Sequence, residues 1–131
     1  MASYSELMSS FDSVFSTTEW TSVGLPAFPA NFFPSTYPDE FIRYQAVPSE
    51  EGVEEYGRNL YKSGFFIVEI YAQSNKGPKR IYEIASVIED YFANRSFMKT
   101  QVSSGTLQVV GIDKDDTSLF RADYSLKFNS F

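Results

Sequence analysis

The run from Gly64 to Phe92 constrains the fold more than any other stretch of the chain. Gly64-Phe65-Phe66-Ile67-Val68-Glu69-Ile70-Tyr71 is β-branched and aromatic, and short enough to be a strand. A polar turn, Gln73-Ser74-Asn75-Lys76-Gly77, follows it. Beyond Pro78, apolar residues recur at Ile81, Ile84, Ala85, Ile88, Tyr91 and Phe92, the stripe of an α-helix. Pro78 suits a first helical turn, where its missing N–H would have no partner anyway. Burying each large side chain of that stripe is worth roughly 1.5–3 kcal/mol. Strand and helix are therefore predicted to pack together, with the remainder covering or extending the pair.

The flanking segments fall into place around this unit. Ser3 to Ser16 reads as an amphipathic helix with Tyr4, Leu7, Met8, Phe11, Val14 and Phe15 on one side, and Ser3 to Glu6 fits a capping box. Thr17 to Pro38 holds Pro26, Pro29, Pro34 and Pro38 between Trp20, Phe28, Phe32, Phe33 and Tyr37. The prolines exclude a long helix or a central strand, and the rings exclude a disordered linker. An extended wrap pinned by its aromatics is expected.

Asp39 to Val47 is the next predicted strand, with Ile42, Tyr44 and Ala46 on one face and Phe41, Arg43 and Gln45 on the other. Pro48 is expected to end it. Ser49 to Asn59 is a polar loop or hairpin arm with Glu50, Glu51, Glu54 and Glu55 against Arg58. Leu60 to Tyr71 pairs back, and the helix from Pro78 to Asn94 follows. Asn94-Arg95-Ser96 matches a glycosylation acceptor by chance. Gly105 to Ile112 and Leu119 to Phe128 form a closing hairpin around Asp113-Lys114-Asp115-Asp116. In its second strand Phe120, Ala122, Tyr124, Leu126 and Phe128 point inward, and Arg121, Asp123, Ser125 and Lys127 outward. The expected fold is α+β, one domain over 1–131. It has a mainly antiparallel sheet of about four strands, backed by an N-terminal helix and one long central helix.

Composition narrows the chemistry. With no histidine and no cysteine, the chain lacks the commonest general base, the commonest transition-metal ligand and any disulfide. A net charge of −6 argues against broad binding to a phosphate backbone. No run of 18 apolar residues is present and the N-terminus lacks signal-peptide features, so a soluble cytoplasmic protein, or part of an assembly built there, is expected. Thirteen Phe and nine Tyr fill a core or leave rings for a surface that another protein covers.

Few residues are candidates for chemistry. Gly77-Pro78-Lys79-Arg80 lacks phosphate-loop spacing and reads as a turn before a helix. Asp113, Asp115 and Asp116 lack the spacing of a calcium loop and read as a solvated turn. Glu69, mid-strand beside Phe65, Ile67 and Tyr71, can act as an acid, pair with an arginine such as Arg43, or meet another subunit. Pairing is the reading adopted. No catalytic residue, metal site or cofactor is expected.

The ordered motifs resemble the tail terminator (tail completion) proteins of long-tailed bacteriophages. Asn31-Phe32-Phe33-Pro34 resembles the family's Asn-aromatic-Pro lead-in, and Phe41-Ile42-Arg43-Tyr44-Gln45 its first strand. Tyr61 to Tyr71 resembles its second strand, Ile81 to Phe92 its long helix, and Gly111 with Phe120 to Phe128 its closing hairpin. The resemblance implies a structural virion protein that forms a ring, typically a hexamer. Such a ring caps the tail tube and meets the head–neck connector, with DNA merely passing through the lumen and no membrane involved. Its setting would be the virion tail or neck, and the host cytoplasm during assembly. Another neck, head-completion or tube-like component is the alternative, with a small-ligand domain or enzyme behind it. The contact residues expected are Arg43, Glu50, Glu51, Glu54, Glu55, Arg58 and Glu69.

Overall fold

The computed structural model describes residues 4–29, 38–53, 60–73, 79–97, 100–112 and 119–130. The described elements in chain order are α1 (Tyr4–Phe15), α2 (Thr18–Val23), β1 (Ala27–Pro29), β2 (Phe41–Val53), β3 (Leu60–Gln73), α3 (Lys79–Phe92), β4 (Arg95–Phe97), β5 (Thr100–Ile112) and β6 (Leu119–Ser130). The fold is α+β. Its strands form one sheet in the order β1-β2-β3-β6-β5-β4.

The sheet is larger and less uniform than expected. Among the described residues it has six strands rather than about four, and it is mixed, because β1 runs parallel to β2. The two extra strands are three-residue edge pieces, too short for any alternation to show in sequence. Pro29 is tolerated in β1 because an edge strand leaves one row of donors unused. The Pro26 carbonyl accepts a hydrogen bond from the Ile42 N–H at 3.0 Å and starts the parallel pairing.

A third helix, α2, occupies part of the segment read as an extended wrap. It begins at Thr17, whose side chain accepts a hydrogen bond from the Trp20 N–H at 3.2 Å. It ends at Gly24, whose φ of 75° is the left-handed turn that glycine adopts without strain. The prolines begin only at Pro26 and leave this single turn and a half intact. Residues 30–37, with Phe32 and Phe33, lie outside the described residues.

Pro48 does not end β2. A bulge between Pro48 and Glu50 absorbs it, and pairing with β3 resumes from Glu50 opposite Ser63 to Val53 opposite Leu60. The polar arm is thus partly strand. β5 likewise begins at Thr100, ahead of the predicted Gly105, because a bulge between Val102 and Gly105 breaks the alternation that would have revealed it.

One face of the sheet carries the core. β2 contributes Ile42 and Tyr44, β3 Phe66, Val68 and Ile70, and β6 Ala122, Tyr124, Leu126 and Phe128. Above them lies the α3 stripe of Ile81, Ile84, Ala85, Ile88 and Phe92, all buried, with α1 adding Leu7 and Phe11. Phe11 stacks on Phe66 at 3.9 Å, and Phe15 stacks on Tyr44 at 4.3 Å. α3 ends at Phe92, and Asn94, with a φ of 56°, turns the chain left-handed into β4.

Candidate functional site

The sheet face opposite the core gathers the side chains that could carry function. Period-2 alternation aligns them in rows across the strands. Phe41, Tyr71, Arg121 and Gly111 form one row, and Arg43, Glu69, Asp123 and Gln108 the next. Gln45, Ile67, Ser125 and Thr106 form a third. Burial falls along the rows, from buried Phe41 and Tyr71 to exposed Val47 and Phe65.

The apolar end is a small cluster of its own, where Phe41, Tyr71 and Leu119 pack together with Phe28 against them. The Phe41 and Tyr71 rings stack at 4.6 Å. Next to this cluster the charged groups close on one another. The Tyr71 hydroxyl donates to Glu69 Oε2 at 2.9 Å, and Arg121 Nη2 donates to Glu69 Oε1 at 3.3 Å. Arg121 Nε also donates to Asp123 Oδ1 at 3.1 Å, and its guanidinium carbon lies 5.9 Å from the centre of the Tyr71 ring. Arg43 stands opposite Glu69 in register.

The pairing predicted for Glu69 is present, with Arg121 as an ion-pair partner. Alternation along β6 had placed Arg121 outward; what sequence did not supply was that β6, and not only β2, lies beside β3. Glu69, Asp123 and Arg121 keep 18%, 24% and 30% of their side chains exposed, so the cluster is half-wet. Both Glu69 oxygens already accept hydrogen bonds. That geometry suits an internally paired, positioned patch better than a base waiting for a proton. Glu50 and Glu51 lie within β2, whose backbone pairs them with Ser63 and Lys62. Glu54, Glu55 and Arg58 lie outside the described residues, as do Gly77, Pro78, Asp113, Asp115 and Asp116.

Tyrosine–carboxylate bonds recur across the molecule. Tyr44 donates to Asp12 at 2.7 Å and ties α1 to β2, while Tyr124 reaches Glu89 at 3.4 Å between β6 and α3. Burial pushes the Tyr71 phenol well above its ordinary range. The bond to Glu69 and that carboxylate's charge add to the shift, while Arg121 and Arg43 oppose it. Burial likewise raises Tyr44, helped by the bond to Asp12 and its charge. Folding thus tightens both protons. Their contribution to stability is complete below the unfolded value of about 10 and is lost as pH rises through the folded values. We predict that the melting temperature falls as pH climbs from about 9 to about 11, and that Tyr44→Phe with Tyr71→Phe flattens this slope. An equal slope in the double variant would refute the assignment.

Two clefts open elsewhere. One of about 410 Å³ is lined by residues including Glu89, Asp90, Arg95, Gly105 and Tyr124. The other, of about 380 Å³, is lined by Asp39, Glu40, Ala72, Gln73 and Arg80, and Arg80 pairs there with Glu40. Glu69 lines neither. Among the described residues no group of three or more acidic side chains is placed to hold a metal ion, and no helix is long and apolar enough to cross a membrane.

A solved structure that shares the fold covers 100% of this chain and 97% of its own, with a TM-score of 0.65 and 15% identity; its name states no function. No protein-family model and no curated protein matches the chain.

Proposed function

We propose that this chain is a structural virion subunit of the tail-terminator type. Copies close head-to-tail into a ring, hexameric by the resemblance, which caps the tail tube and meets the head–neck connector. A contact that joins two different surfaces of neighbouring copies either closes a ring or runs on as a filament, and a terminator requires closure. The observation that carries the reading is the order of the matching motifs on one sheet-and-helix unit: Phe41 to Gln45 on β2, Tyr61 to Tyr71 on β3, Ile81 to Phe92 in α3, and Phe120 to Phe128 on β6. The internally paired Glu69–Arg121–Asp123 cluster also fits a structural role better than an acid–base site. A net charge of −6 suits a lumen through which DNA must pass without sticking.

Electron microscopy of the chain mixed with its tail-tube protein tests this. Tubes capped at one end and stopped in growth are expected, with ring-shaped particles of about six copies. Co-polymerisation into the tube wall would favour a tube-like subunit, and unaffected tubes would refute the capping role. Within this reading the glutamate-rich arm is a subunit contact. Glu54→Lys with Glu55→Lys is expected to weaken ring assembly while leaving unfolding of the monomer within about 0.5 kcal/mol of the parent. Unchanged ring formation by light scattering would remove the arm from the interface.

A further inference from the structure

We draw no further inference here: the strongest candidate, the exposed apolar patch where Val47 stands in register opposite Phe65 on the sheet face away from the core, carries none because nothing in the structure shows what covers it.

Discussion

Phe11→Ala is expected to destabilise the fold by about 3–5 kcal/mol, as removal of a fully buried ring typically does. Against a typical total of about 5–15 kcal/mol, that is a large share. The reason lies in what the ring touches. Phe11 is 0% exposed, stacks on Phe66 at 3.9 Å with the planes 2° apart, and meets Phe128 edge-on at 5.5 Å. Phe66 and Phe128 come from neighbouring strands, so one side chain of α1 seats the helix across the β3–β6 seam. The cavity left by alanine would be lined by rings whose strands cannot close in without losing ladder hydrogen bonds. Urea unfolding should show a lower midpoint, while Phe65→Ala, at a side chain 46% exposed on the opposite face, should shift stability by less than about 0.5 kcal/mol. A cost below about 1 kcal/mol for Phe11→Ala would mean that α1 is not part of the core.

Which parts of this arrangement were legible in sequence follows from the length of the signal. The α3 stripe and the alternation along β6 each span ten or more residues, enough for period 3.6 or 2 to show itself. The short edge strands β1 and β4 offer three residues each, and α2 six, so only punctuation could mark them. For α2 that punctuation is present, as Thr17 before the turn and Gly24 after it, but the prolines from Pro26 onward carry the stronger extended signal. Bulges hid the rest: each inserts one residue and flips the alternation, which concealed the continuation of β2 past Pro48 and the start of β5. The charged cluster was half legible. Glu69 announced itself as an acid inside an apolar strand, and pairing was the expected outcome. That its ion pair would be to Arg121 depended on β6 lying beside β3, a non-local fact that no local pattern encodes.

Gly105 fixes how closely β5 can approach β6, and replacing it should be costly. A Cβ at this position would lie 2.7 Å from the Ser125 carbonyl oxygen, 2.9 Å from Leu126 Cγ and 3.0 Å from Tyr124 Cε1. Leu126 and Tyr124 can swing, but Ser125 contributes a backbone atom held in the sheet, so relief requires moving a strand. Gly105→Ala is expected to cost about 1–3 kcal/mol through overpacking, reduced by about 0.4–1 kcal/mol because alanine restricts the unfolded chain. Gly105→Val adds two methyl groups to the same gap and should exceed it. Gly111→Ala separates crowding from backbone strain. Gly111 has open space around it but a φ of 114°, so alanine there pays only for conformation, about 1–3 kcal/mol. Truncating Leu126 to alanine should therefore fail to rescue Gly105→Val, because the carbonyl remains in place. Hydrogen exchange should locate the damage in the amides that pair β5 with β6. If Gly105→Val unfolds at the same urea concentration as the parent, the close β5–β6 approach is absent.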